Sequence, residues 1–358
     1  LRLIPLTLTL AFLSTPAFAQ SAPENILSFD SARNVFTMAP TISRVSPGVV
    51  SINTVEREEA DGTTLGGIGS GVIIDAARGH VLTNDHVIDG STSIIVVLHD
   101  RRRYEAIVLG RDAATDLALL QVDAPNLQAV DVSMSDDLQV GDLVIAVGNP
   151  FGLSQTVTTG IVSALGRSSD DPLGYSDLIQ TDASINPGNS GGALVNSAGE
   201  LIGINSAIVA RERGSSGIGF AIPAHTFRAI AAQLETYGAV SRGALGVMIS
   251  PVTQDRQVDL DVPTLDGALI VEVTAGGAGS AAGLQLDDVV TVFAGREIRN
   301  SSDLRYAVGL VRPGTSAEML YYRDGVLQAG NVVIQAKPGA VQETVEYEVI
   351  LEPSADDS

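Results

Sequence analysis

At 358 residues the chain is long enough for two or three domains with cores of their own. With 45% apolar residues, only 4% aromatics, 37 glycines and 15 prolines, the composition favours many short strands joined by turns over long helices. The net charge of -21 repels phosphate backbones and anionic lipid, which excludes nucleic acid as a partner, and the absence of cysteine excludes disulfides, a thiolate nucleophile and cysteine metal sites.

At the start, Arg2 precedes the apolar run "LIPLTLTLAFL" and then "STPAFAQ", whose Ala17 and Ala19 form an A-x-A pattern. Residues 1–19 are therefore expected to be a signal peptide cut after Ala19, which places the mature protein outside the cytoplasm. Pro5 and Pro16 interrupt the run, making it marginal as a membrane span. Residues 20–40 carry little pattern and are expected to be a mobile lead-in, with a short helix near "FTMAPTISRV".

From Val49 the sequence reads as strand after strand: "VVSINTV", "GSGVIID", "HVLTNDHV", "SIIVVLHD", "YEAIVLGR", "DLALLQV", "DLVIAVG" and "QTVTTGIVSAL". Gly, Asn and Asp turn signals separate them, and after a glycine-rich segment "GALVN", "LIGINSAIV" and "GIGFAIP" continue the pattern. This spacing predicts a barrel or sandwich rather than βαβ units. The segment "AHTFRAIAAQLETYG" predicts a closing helix, with Phe227, Ile230, Ala231 and Leu234 on one face and Gly238 as its stop.

A second unit of about a hundred residues begins near Ser241. Its expected strands are "GALGVMI", "GALIVEV", "DVVTVFAG" and "AEMLYYRDG", with helical patches near Ala281 and at "SSDLRYAVGLV". One more strand, "VEYEVILEP", and an acidic tail complete the chain.

Within "TDASINPGNSGGALVN", Ser190 is flanked by Gly188, Gly191 and Gly192. A nucleophile needs a reachable hydroxyl, and a developing oxyanion needs backbone N–H groups with no side chain in the way. The amides of Gly188 and Ser190, with Asn189 between them, could supply those donors, while Gly191 and Gly192 would let substrate backbone come close. The same letters fit the G-x-S-x-G elbow of α/β-hydrolases, but that motif requires a helix after the serine, and strands follow here.

Of the four histidines, His86 ends a strand-like alternation in "GHVLTNDHV". His80 reads as a solvated turn residue, and His99 and His225 as surface or capping positions. Asp116 opens the apolar strand of "GRDAATDLALLQV", whereas Asp112 reads as a turn-forming or solvated residue. The order His86, Asp116, Ser190 is that of chymotrypsin-like double barrels.

These stretches resemble the HtrA/Deg family of serine proteases, a trypsin-like domain followed by a PDZ domain. The matching blocks are "GSGVIID", "GHVLTNDHVI", "DAATDLALLQV", "VGNPFGL", "TDASINPGNSGGALVN" and "GIGFAIP", and the resemblance runs from about Ser43 to Lys337. The family more often has Asn where Asp85 stands, Ala where Ser184 stands and Pro where Ala193 stands. The resemblance implies a mostly β fold: a chymotrypsin-like double β-barrel over 41–239, a PDZ domain over 240–338, and a C-terminal strand and tail over 339–358.

It further implies a Ser190, His86, Asp116 triad, an oxyanion hole at Gly188, Asn189 and Ser190, and PDZ peptide-binding positions Ala244, Leu245, Gly246 and Val247 in "RGALGV". The loops "GRSSDDPLGYSD" and "AIVARERGSSG" would move around the site, the second helping to form a pocket for small aliphatic residues. Asn189 cannot pair with a newly cut N-terminal amine, so activation by propeptide cleavage is not expected. A nearby "GAGSAA" fits a dinucleotide fingerprint, but too few helical residues follow it for a βαβ unit.

The expected function is periplasmic, ATP-independent endoproteolysis of unfolded or damaged proteins, with C-terminal peptides as partners of the PDZ domain and a homotrimer or larger assembly of trimers. No metal or organic cofactor is implied. The alternative is a chaperone or peptide-binding scaffold that holds clients without cutting them.

Overall fold

The structure, a computed structural model, describes residues 28–337 apart from 56, 59–63, 135–136, 151–154, 168–176, 187 and 207–216. The expected leader, the greater part of the two site loops, and the C-terminal strand and tail lie outside the described residues.

The described residues are mostly β, built around two closed six-stranded barrels. The first joins Val49–Val55, Ile68–Asp75, His80–Thr83, Ser93–Val97, Arg103–Asp112 and Leu117–Val122. The second joins Leu143–Gly148, Thr156–Arg167, Leu178–Thr181, Ala193–Val195, Leu201–Ser206 and Gly219–Pro223. Every strand pairing within the barrels is antiparallel.

Side-chain alternation explains why several strands read as unbroken apolar runs. In Leu117–Val122, Ala118, Leu120 and Val122 fill the first barrel, while Leu117 and Leu119 face the seam between the barrels. In Leu143–Gly148, Val144 and Ala146 fill the second barrel, and Ile145 and Val147 meet the same seam from the other side. Both faces of these strands are largely dry, so apolar residues run through them, with the half-buried Gln121 as the one polar side chain among them. Fully burying each Leu, Ile or Val contributes roughly 1.5–3 kcal/mol, and the seam thereby fixes the barrels against each other.

The helix Ala224–Tyr237 seals that seam with Phe227, Ile230, Ala231 and Leu234. It stops at Gly238, which lies at φ 69° and donates its N–H to the Leu234 carbonyl at 2.9 Å. The predicted helix and its apolar face are thus both present. Ahead of the barrels, residues expected to be a mobile lead-in form the hairpin Ser28–Asp30 with Val35–Thr37, followed by the helix Ala39–Val45.

The C-terminal unit is a sheet in the order Val247–Pro251, Ala268–Val273, Val289–Phe293, Ser316–Arg323, Val326–Val333. Helix Ser301–Leu310 packs Leu304, Ala307 and Val308 into its core, and Asn300 caps that helix by accepting from the amides of Ser302 and Asp303 at 2.9 and 3.0 Å. "GALGVMI" is not one strand: Gly243–Ala244 pairs with Gln335–Ala336, the chain turns at Leu245 and Gly246, and Val247–Pro251 begins a different sheet.

The units are joined by polar contacts. Arg242 pairs with Asp112, Arg296 donates to Asp177 at 2.6 Å, Thr226 bonds to Tyr306, and the Gln233 amide reaches the Leu310 carbonyl at 3.2 Å.

Candidate active site

His86 lies in the one-turn helix Asp85–Ile88, which begins where strand His80–Thr83 leaves its barrel. Its Nδ1 sits 2.8 and 2.9 Å from the two carboxylate oxygens of Asp116, and its backbone N–H donates to Asp116 Oδ1 at 3.1 Å. A carboxylate can only accept, so Nδ1 carries a proton, and in the neutral imidazole this tautomer leaves the lone pair on Nε2.

Asp116 is itself fixed from several sides. It precedes strand Leu117–Val122, as predicted, and takes φ 56° at the end of a turn whose Asp116 N–H bonds to the Ala113 carbonyl at 3.3 Å. Positive φ is uncommon away from glycine, although Asp tolerates it better than most residues. Ser206 Oγ donates to Asp116 Oδ2 at 2.9 Å, and Asn84 Nδ2 donates to the Asp116 carbonyl at 2.9 Å.

The Ser190 turn is wedged between the barrels. The Ser70 N–H from the first barrel reaches the Ser190 carbonyl at 2.8 Å, and the Gly191 N–H reaches the Asn205 carbonyl of the second at 2.9 Å. Asn205 is followed directly by Ser206, which holds Asp116, so one strand end ties the serine turn to the carboxylate. On its other flank Gly191 abuts Thr83 and Asn84, three and two residues before His86.

Gly191 shows what the bare backbone is for. It lies at φ 78°, and a Cβ there would come within 2.1 Å of the Ser70 carbonyl and 2.4 Å of Thr83 Oγ1. At Gly192 a Cβ would meet the Val147 carbonyl at 2.4 Å. These two glycines admit barrel backbone, which corrects the expectation that they admit substrate. Ser190 itself is only 5% exposed, because the turn is packed on both sides.

The amide of Asn189 is spent on the Asn186 carbonyl at 2.9 Å, while Asn189 Nδ2 donates to the Ser184 carbonyl at 3.3 Å. Candidate oxyanion donors therefore narrow to the amides on either side of it. Among the described residues, no cluster of three or more His, Cys, Asp or Glu is placed to hold a metal ion.

Residues 69–204 match the Trypsin-like peptidase domain and residues 243–334 the PDZ domain. The chain is 38% identical to a probable periplasmic serine protease do/HhoA-like of Haemophilus influenzae, over 92% of this chain and 78% of that one. It is 42% identical to the periplasmic pH-dependent serine endoprotease DegQ of Escherichia coli, over 81% of this chain and 68% of the relative. The chain belongs to the HtrA/Deg family of serine proteases. A solved HtrA-type protease, AlgW with tripeptide, superposes with a TM-score of 0.64 at 38% identity, covering 84% of this chain and 98% of that one.

Within this HtrA frame, several local readings change. Asp85, where Asn is more common, sits 6% exposed in the fork of Arg111, with Nε at 2.5 Å and Nη2 at 3.0 Å, and Arg111 Nη2 also reaches Asp89 at 2.6 Å. The Asp85 hydrogen bond outweighs burial and raises the Arg111 pKa, so the guanidinium stays charged. His80 is buried at a strand start, not solvated, and burial pushes its pKa down. Asp112 is engaged by Thr115 and Arg242 instead of water. His99 is exposed, as expected.

His225 opens the seam helix, but it meets the C-terminal unit rather than the surface. Its Nε2 lies 3.1 Å from Asp177 Oδ2, and its ring meets Tyr306 edge-on. Burial pushes the Asp177 carboxyl up, yet the His225 hydrogen bond and the Arg296 charge outweigh it and bring the pKa to about 2. Burial also raises the Tyr306 pKa.

Sequence reasoning assigned no role to Ser206, Asn84 or Ser70. Each is a small polar residue at a strand end or between glycines, and the only signal was its presence within otherwise apolar strands: "LIGINS", "HVLTN" and "IGSGVIID".

In the PDZ unit, the carbonyls of Leu245 and Gly246 are taken by the amides of Gly279 and Thr274 at 2.6 and 2.9 Å. Because peptides are trans, the amides of Gly246 and Val247 point away from those bonds. Strand Val247–Pro251 that follows is the edge of its sheet.

Proposed function

We propose that Ser190 is the nucleophile of this HtrA protease, with His86 as general base and then acid, and Asp116 as the group that fixes the imidazole tautomer. The observation that carries the assignment is the double contact of His86 Nδ1 with the Asp116 carboxylate, tied through Ser206 and Asn205 to the Ser190 turn. Ser190 Oγ attacks the scissile carbonyl as His86 Nε2 takes its proton, and the new oxyanion rests on the amides of Gly188 and Ser190. His86 then protonates the departing amine. Water, activated by the same imidazole, releases the acyl group and regenerates Ser190.

The chain is an ATP-independent serine endopeptidase of periplasmic protein quality control, with regulation through its PDZ domain. The amides at Ala244, Leu245, Gly246 and Val247 are the proposed receptor for a peptide carboxylate, with the edge strand Val247–Pro251 holding the peptide as an added strand. We also propose domain limits of 41–239 and 240–338, cleavage of residues 1–19, and a homotrimer. Phe29 and Phe36, whose rings meet at a tilt with centroids 5.2 Å apart and which are 53% and 72% exposed, offer the N-terminal hairpin as an apolar contact between protomers.

The test is cleavage of β-casein by wild type and Ser190→Ala, with client aggregation measured alongside. Loss of cleavage in the variant supports the nucleophile, and equal cleavage removes Ser190 from the mechanism. Suppression of aggregation by an inactive variant would add a holding function.

A further inference from the structure

We propose that Ser70 is a positioning residue that holds the Gly188 and Ser190 carbonyls from the opposite barrel and thereby aims the oxyanion-binding amides. The role rests on the assignment of Ser190 as nucleophile, and it concerns a residue 120 positions away in sequence from it.

Ser70 is fully buried in strand Ile68–Asp75 and uses every polar group it has. Its N–H donates to the Ser190 carbonyl at 2.8 Å, and its Oγ donates to the Gly188 carbonyl at 2.6 Å. The same Oγ accepts from the Asn149 N–H at 2.8 Å, and the Ser70 carbonyl accepts from Thr83 Oγ1 at 2.7 Å. One side chain thus receives an amide from the second barrel's strand end and passes its proton to the serine turn.

The consequence follows from peptide planarity. The peptide linking Gly188 to Asn189 is pinned at both ends, its carbonyl by Ser70 Oγ and its N–H by the Asn186 carbonyl at 2.9 Å. The peptide linking Ser190 to Gly191 is likewise pinned, by the Ser70 N–H and by the Asn205 carbonyl at 2.9 Å. Between them, the Asn189 carbonyl accepts from the Gly192 N–H at 2.9 Å, so the Ser190 N–H is directed the opposite way. Gly188 lies at φ 103° and has no Cβ to resist rotation. On the carbonyl side of its peptide, Ser70 Oγ is what opposes that rotation.

Ser70→Ala removes the hydroxyl but leaves the Ser70 N–H bond to Ser190. On a fluorogenic peptide with a small aliphatic residue before the cleaved bond, kcat is expected to fall roughly 30-fold, less than the roughly 10²–10³-fold loss on deleting an oxyanion donor outright. KM is expected to stay within about twofold, because ground-state binding does not use the hole. A peptide boronate, whose tetrahedral adduct fills the hole, should weaken by the same factor as kcat, while the matching product acid binds as before. Ser70→Thr, which restores the hydroxyl, should recover most of the loss.

Unchanged kcat and boronate affinity in Ser70→Ala would overturn the role, as would equal weakening of boronate and product acid. Should the Ala variant fail to fold, Ser70→Cys keeps the buried volume with a weaker hydrogen bond. It should show the same kcat-selective loss at smaller amplitude, and a Cys variant indistinguishable from wild type would also overturn the role. Ser190→Ala run in parallel separates the two ideas: if it cleaves normally the nucleophile assignment fails, whereas a silent Ser70→Ala beside an inactive Ser190→Ala removes only Ser70.

Discussion

The carboxylate of Asp85, one residue before His86, is gripped by the guanidinium of Arg111, with Nε–Oδ1 at 2.5 Å and Nη2–Oδ2 at 3.0 Å. Asp85 is buried while Arg111 keeps about a quarter of its side chain exposed, so the pair lies between a surface bridge and a core one.

Removing only the arginine strands a buried charge. Arg111→Met is expected to lower stability by roughly 2–3 kcal/mol in urea denaturation, and adding Asp85→Asn should recover most of it, because a neutral amide does not need the fork. Additive losses in the double variant would show that the two side chains do not depend on each other.

The Asp177 cluster predicts a pH dependence. Its carboxyl is brought down to about 2 in the folded protein, below the ordinary aspartate value of 3.8, so the folded state binds its proton less readily than the unfolded state does. A depressed value stabilises at pH above the unfolded pKa, and that contribution is lost as pH falls from about 4 to about 2. It amounts to about 2 kcal/mol at neutral pH. The stability gap between wild type and Asp177→Asn, followed by denaturant midpoint, should therefore be full at pH 6, fall to roughly half by about pH 3 and be nearly gone by about pH 2. A gap independent of pH would mean that the Asp177 charge contributes nothing to the contact with His225 and Arg296.

Gly191→Ala tests the inter-barrel wedge. The new methyl meets the Ser70 carbonyl and Thr83 Oγ1 in a backbone conformation that disfavours any Cβ. Together, strain and overpacking should cost about 2–4 kcal/mol and abolish cleavage. A variant with wild-type melting temperature and activity would show that the turn has room the geometry denies it.

The barrels were legible because their strands alternate between two dry faces, which leaves apolar runs such as "LALLQV" and "LVIAVG" cut by turn residues. The strand Leu178–Thr181 was not, since four residues carry too little period to be distinguished from loop. Val326–Val333 was missed because Gly330 and Asn331 break its pattern, although the Asp324 and Gly325 turn, at φ 50° and 73°, was a hairpin signal. At the site, His86, Asp116 and Ser190 stood out by residue type and flanking glycine. Ser206 and Ser70 did not, because a serine that holds a neighbour looks like any other serine until the neighbour's coordinates are known. His225 was read as a surface or capping position and Asp112 as a turn-forming or solvated one because their partners, Asp177 and Arg242, lie 48 and 130 residues away.

The central claim, that Ser190 is activated by His86 held on Asp116, is tested most directly by fluorophosphonate labelling followed by peptide mapping. Wild type is expected to carry one phosphonyl group, on Ser190, with labelling lost in His86→Ala and slowed by about 10⁴-fold in Asp116→Asn. Label on another serine, or labelling of His86→Ala at the wild-type rate, would contradict the claim.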